Sequence, residues 1–134
     1  MQQYEINRSR HAAFLLYVHL VFVTKYRRKI FGELHYVAFH QYASEVCRDF
    51  GATLKESNGG SDHVHLLIEY PPTVQLSVLV NSLKAVTSRR LRNEFLDLRS
   101  AYKKPVLWSR SYFAGSCGGA PLDVIKQYIQ HQRD

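Results

Sequence analysis

Sulfur and acid are both scarce in this chain. Two cysteines and one methionine occur among 134 residues. Cys47 and Cys117 form no C-x-x-C pair, which argues against a cysteine-built zinc site and a disulfide framework and makes a reducing cytoplasm the expected setting. Four prolines and seven glycines are too few for a collagen-like or low-complexity chain. Intrinsic disorder is excluded too, since 46% of the residues are hydrophobic and 22% charged. A single domain spanning 1–134 is expected, because halving the chain would leave two marginal cores. Acidic residues number 11 against 18 Lys+Arg, a formal charge of +7. That balance favours a polyanionic partner such as nucleic acid, although many basic proteins bind nothing specific.

Long apolar runs are missing as well. Ala12 to Val23, apolar apart from His19 and preceded by Arg8 and Arg10, has the outline of a secretory leader. Lys25, Arg27, Arg28 and Lys29 follow it where a leader carries a small-residue cleavage site. Its 12 residues fall short of the ~20 that span a bilayer. A buried strand is the expected structure, with no membrane partner.

Residues 1–11 are polar and predict a flexible arm. Tyr17 to Thr24, aromatic and β-branched, predicts a central strand. Phe31 to Phe50 carries Leu34, Val37, Ala38, Tyr42, Val46 and Phe50 at helical spacing, with Gly51 placed to end the helix. Ala52 to Ser57 predicts a short strand, Asn58-Gly59-Gly60 a turn, and His63 to Tyr70 a strong strand closed by Pro71-Pro72. Val74 to Phe95 predicts an amphipathic helix with Leu76, Leu79, Val80, Leu83, Val86 and Leu91 along its apolar stripe. Val106 to Ala114 reads as mostly extended, and Pro121 opens a last helix reaching Gln132. The order β-α-β-β-α-β-α predicts an α+β fold, a ferredoxin-like antiparallel sheet with helices packed on it, over a doubly wound parallel sheet.

Asp62-His63-Val64-His65-Leu66-Leu67-Ile68 carries the sharpest chemical signal. Alternation puts His63 and His65 on one strand face, close enough to share a metal, and turns Val64 and Leu66 to the core. Two histidines on a polar face are equally a structural feature, and a metal needs at least one more ligand. Glu69 is expected off that parity and is not counted. Tyr128 and Gln132 stand one helical turn apart on one face. A tyrosine there is commonly a packing residue; a phenol is also a nucleophile toward phosphorus, and an amide oxygen can bind a metal.

Taken together these segments resemble the single-tyrosine HUH transposases (TnpA type) of small insertion sequences that transpose as single-stranded DNA. The matching residues run from His19-Leu20-Val21-Phe22-Val23-Thr24-Lys25-Tyr26-Arg27-Arg28 through Asp62-His63-Val64-His65-Leu66-Leu67 and Leu83-Lys84-Ala85-Val86-Thr87-Ser88-Arg89-Arg90-Leu91. They continue with Leu107-Trp108-Ser109-Arg110-Ser111-Tyr112-Phe113 and end in Tyr128-Ile129-Gln130-His131-Gln132. The resemblance implies that His63, His65 and Gln132 bind a divalent metal and that Tyr128, on a mobile C-terminal helix (121–134), is the nucleophile. It implies a 5′-phosphotyrosine intermediate, recognition of DNA hairpins at element ends, and a homodimer whose tyrosine helices can complete the partner's site. Imidazole also suits zinc, but an amide ligand and a phosphate substrate favour the harder ions Mg²⁺ or Mn²⁺.

DNA capture is expected from Lys25, Arg27, Arg28 and Lys29 after the first strand and from Lys84, Arg89, Arg90 and Arg92 on the long helix. Tyr26, Trp108 and Tyr112 are candidates to stack unpaired bases. Gly115, Gly118 and Gly119 are expected to form a hinge that lets Tyr128 move. Two other readings compete: a non-catalytic nucleic-acid-binding module on the same sheet, and a metal-dependent hydrolase using bound water. The second lacks H-E-x-x-H and a carboxylate base beside the histidines.

Overall fold

A computed structural model describes residues 7–8, 13–14, 16–116 and 128–132. Its elements are β1 (Asn7–Arg8), β2 (Ala13–Phe14), β3 (Tyr17–Val23), α1 (Glu33–Asp49), β4 (Thr53–Gly60), β5 (His63–Glu69), α2 (Leu76–Glu94), α3 (Leu96–Ser100) and β6 (Phe113–Ser116). A further helical turn covers residues 128–131. Four strands form an antiparallel sheet in the order β4-β5-β3-β6. This is the ferredoxin-like α+β arrangement expected from the element order. Asn7–Arg8, within the expected arm, pairs antiparallel with Ala13–Phe14.

Strand alternation divides the sheet into two unlike faces. On one, Val18, Leu20 and Phe22 of β3 and Val64, Leu66 and Ile68 of β5 are buried against α1 and α2. Ala38, Phe39, Tyr42, Val46, Leu79, Leu83 and Leu91 supply the helical half of that core. The buried stripe of α1 is rotated from the expected one. Leu34 and Val37 are 75% and 71% exposed, while His35 and Phe39 point inward. His35 is held there because its Nδ1 accepts the Gly32 N–H at 2.9 Å, while Nε2 faces Asp97 at 3.0 Å. Gly51 ends the helix as expected, at φ 72°. Cys47 is buried in the core, and burial pushes its thiol up to about 12, so it is no nucleophile.

The expected Asn58-Gly59-Gly60 turn is strand instead. β4 continues to Gly60, where Gly59 pairs with Val64 and Gly60 with His63, and the turn falls at Ser61-Asp62. Close approach explains the glycines. A Cβ on Gly59 would lie 2.2 Å from the His63 carbonyl oxygen, a separation no side chain tolerates. The long helix stops at Glu94 and a short α3 follows. Gly115 lies in β6 opposite His19, so it is strand and not hinge. Gly118, Gly119 and the start of the last helix at Pro121 lie outside the described residues.

Phe39→Ala should destabilise the fold by about 3–5 kcal/mol in urea titrations, the cost of emptying a well-packed aromatic site. Leu34→Ser should fall within about 0.5 kcal/mol of the wild type, as expected for an exposed position.

Candidate active site and nucleic-acid interface

The second sheet face carries the histidines. Val21 is paired with His65 and Val23 with His63, and residues directly opposite in a ladder project to the same side. Ile129 of the last turn is buried on Val21 and Val23, with Phe113 and Tyr128 packed alongside. Burial of that one isoleucine therefore brings the Tyr128 turn of the chain onto the face that holds its own His63 and His65. Arg27 donates from Nη1 to the Gln130 carbonyl at 3.0 Å and fastens the same turn.

The two imidazoles stack nearly parallel, with centroids 6.4 Å apart and planes 15° apart. His63 Nδ1 lies 2.9 Å from Asp62 Oδ1. A proton on Nδ1 given to that carboxylate leaves Nε2 as the free lone pair, the usual arrangement of a metal-ligating histidine. Gly60 leaves room for the ring: a Cβ there would stand 2.8 Å from His63 Cε1. Burial lowers the His65 pKa, and the neighbouring His63 and His19 lower it further, against an opposing effect of Glu56. His65 is thereby held neutral, the form that ligates.

Tyr128 and Gln132 meet through a serine. Ser111 Oγ is 2.9 Å from the Tyr128 hydroxyl and donates to Gln132 Oε1 at 2.7 Å. Since Ser111 has one proton and gives it to the amide, the phenol is the donor in the other bond. Tyr128 also packs on Phe113 at 5.8 Å, which places it toward β6, across β3 from the histidines. Adjacent strands are ~4.8 Å apart, so those two strands are separated by roughly 10 Å.

Two imidazoles and an amide oxygen are a donor set that suits a divalent ion with positions left for phosphate or water; in this structure the amide oxygen is held by Ser111 on the β6 side of the sheet. Among the described residues no group of three His, Cys, Asp or Glu could hold a metal. Glu69, expected off parity, does share the histidine face, because 63, 65, 67 and 69 alternate together. It lies ~13 Å along the strand from His65 and is engaged by the Tyr17 hydroxyl and Lys55, each at 3.5 Å.

A family model described as "Transposase IS200 like" matches residues 12–132. The chain belongs to that transposase family. The IS200 transposase of Salmonella typhimurium is 32% identical over 114 residues, 85% of this chain and 74% of the relative, and that of Salmonella typhi gives the same figures. A crystal structure from Deinococcus radiodurans R1, of a protein with a provisional transposase assignment, superposes with a TM-score of 0.84. It is 24% identical and covers 96% of this chain and 98% of that one. The REP-associated tyrosine transposase bound to a REP hairpin has a TM-score of 0.56 at 11% identity, covering 98% of this chain and 70% of the other. Among the described residues, no helix of this transposase is long and apolar enough to cross a membrane.

The expected DNA-binding cations divide into two groups. Several are occupied within the protein. Lys84 donates to the carbonyls of Ser109 and Arg110, both at 2.7 Å, and of Ser111 at 3.4 Å, so it shapes the loop that presents Ser111. Arg90 pairs with Glu45 and lies 3.8 Å over the Tyr42 ring, between the two long helices. Arg27 faces Asp62, with Nε 3.5 Å from Oδ2. The others line two grooves. Arg89 and Arg92 join Lys84 and Arg110 along a cleft of about 520 Å³ between α2 and residues 105–110. Lys25 and Arg28 line a second of about 820 Å³ with Lys103, Lys104 and Arg110. Lys29 is exposed on the same turn. Trp108 is a core residue whose indole donates to Thr87 at 3.0 Å, and Tyr112 is half-buried beside Lys84.

Asp62, Ser111 and Arg110 escape sequence reasoning. Asp62 had a local signal, a carboxylate directly before a candidate ligand. Ser111 had none, because its partners lie 17 and 21 residues away.

Imidazole NMR checks this geometry. The His65 midpoint should fall below the ordinary ~6.5 and rise in His63→Gln, which removes a repelling neighbour. The folded state resists that proton, so the His65 contribution to stability is intact above ~6.5 and is lost as pH falls through the folded value. Gly60→Ala should keep the fold while shifting the His63 ring resonances.

Proposed function

We propose that this transposase cleaves and rejoins single-stranded DNA at element ends, with Tyr128 as nucleophile and a 5′-phosphotyrosine as intermediate. The observation that supports this most directly is the burial of Ile129 on Val21 and Val23, the ladder partners of His65 and His63. It gathers the phenol, the amide and both imidazoles on one surface.

His63, His65 and Gln132 would hold a divalent cation, Mg²⁺ or Mn²⁺. When bound, such an ion supplies Lewis-acid charge to the phosphate oxygens. Asp62 fixes the tautomer and orientation of His63, and burial keeps His65 neutral. Tyr128 Oη forms a bond to phosphorus while the bond from phosphorus to the 3′ oxygen breaks. The phenol gives up its proton and the departing 3′ oxygen takes one up. One phosphodiester replaces another, so a second 3′-hydroxyl can reverse the step without ATP. The ordinary tyrosine pKa near 10 leaves little phenolate at neutral pH, so leaving the Ser111 hydrogen bond and losing the proton belong to activation.

Hairpin recognition is part of the proposal. The grooves flanking residues 105–110 offer cationic walls to a folded strand, and a transposase of like fold is bound to a hairpin. A homodimer is proposed as the acting species. The tyrosine turn rests on its own chain's histidine face here, so exchange between copies would require release of Ile129 and of the Arg27–Gln130 bond.

A denaturing gel of protein with labelled single-stranded DNA and Mg²⁺ tests the chemistry. Wild type should give a retained covalent band that vanishes in Tyr128→Phe, in His63→Ala and with a chelator. Asp62→Ala should lower activity about 10–100-fold, the usual cost of losing the partner of a metal-bound histidine. Tight binding with no covalent band in wild type would instead establish a binding module, and cleavage retained in Tyr128→Phe would establish a hydrolase.

A further inference from the structure

The turn that leaves β3 is strained. Tyr26 and Arg27 sit at φ 60° and 53°, a left-handed conformation that non-glycine residues adopt only when their surroundings hold them there. Hydrogen bonds from every side over-determine it. Arg27 N–H reaches the Thr24 carbonyl and Lys25 N–H the Leu107 carbonyl, both at 2.8 Å. The Thr24 hydroxyl donates to the Arg28 carbonyl at 2.7 Å and the Tyr102 hydroxyl to the Lys25 carbonyl at 2.6 Å.

The strain parts two neighbouring side chains. Arg27 goes toward Asp62 and the Tyr128 turn. Tyr26 goes to the larger groove and is 61% exposed, an aromatic ring that contributes little to the core. Its centroid lies 6.4 Å from that of Tyr102, tilted by 46°. The Arg28 guanidinium lies beside both rings, 4.7 Å from the Tyr102 centroid and 5.7 Å from that of Tyr26, and donates to the Ala101 carbonyl. Lys25 Nζ is 5.4 Å from the Tyr26 centroid. Lys25, Arg28, Lys103, Lys104 and Arg110 line the groove, and among the described residues no carboxylate does.

We infer that Tyr26, with Tyr102 and Arg28, forms a seat for one unpaired nucleobase of single-stranded DNA, whose flanking phosphates lie against the groove cations. An exposed aromatic face takes a base by stacking, an interaction available only to a base with a free face. The surrounding cations neutralise the phosphates on either side. A neutral apolar ligand would gain nothing from five positive charges, and a duplex would present backbone without a face to stack. The seat is distinct from the histidine site, yet Arg27 joins the two through one peptide bond. The inference rests on the DNA-processing reading and assigns where outside the cleavage site the strand is gripped.

The test uses full-length Tyr128→Phe protein and single-stranded oligonucleotides carrying 2-aminopurine at successive positions. One position should show a large fluorescence change on binding, and an abasic residue there should weaken binding. Tyr26→Asn is the variant of choice, since asparagine accepts the left-handed turn and removes only the ring. It should abolish the fluorescence change and weaken binding ~5–150-fold, the cost of one stacked base, while Tyr26→Trp retains both. Lys103→Ala with Lys104→Ala should lower the salt dependence and leave the 2-aminopurine signal at saturation. Equal binding of every oligonucleotide by Tyr26→Asn and its parent would overturn the base seat, as would equal competition by a poly-glutamate peptide. The wild-type gel separates this from the strand-transfer reading: binding at the seat without a covalent band would sink strand transfer alone. A covalent band with binding indifferent to Tyr26 would sink the seat alone.

Discussion

Everything on the functional face depends on the pairing of β3 with β5. That register sets His65 against Val21 and His63 against Val23, so a greasy platform and two imidazoles share one surface. A slip of one residue would invert every side chain of one strand, sending the histidines into the helical core and the core leucines to the surface. The opposite face prevents the slip. Leu20, Phe22, Val64 and Leu66 are buried there, so the fold is stable only in the register that also presents the two histidines.

Much of this was legible in the sequence because it follows from periodicity. His-Val-His announces two residues on one face with an apolar residue between, whatever surrounds them. The two long helices and the order of elements follow from their spacing in the same way. Where local rules failed, a tertiary contact had overruled them. Gly59 and Gly60 have the composition of a turn but serve as clearance for the backbone and ring of His63. Leu34 and Val37 fit a helical stripe, yet the buried His35 with its two polar partners rotates the helix away from them. The alternation that identified the histidines applies equally to Glu69, which distance and its own partners remove from the site.

Charge was the least transparent signal. An excess of Lys and Arg says that a polyanion is welcome, but not which cations will meet it. Arg27 and Arg90 are spent on carboxylates, a carbonyl and an aromatic ring of their own chain, and Lys84, though it lines a groove, is held by three carbonyls. Arg110, Lys103 and Lys104, outside the obvious basic clusters, line the grooves instead. Position in the sequence cannot sort these roles, because each partner arrives from a distant segment.

The bond between Tyr128 and Ser111 has a meaning for an organism that carries such a gene. In the role proposed for Tyr128, a phenol that can join itself to DNA would be a hazard whenever it is idle. A neutral hydrogen bond is worth ~1 kcal/mol net, so stowing the phenol on a serine lowers its readiness by only a few-fold. The restraint is that of a light catch: enough to discourage stray attack, and weak enough for a correctly seated strand to lift.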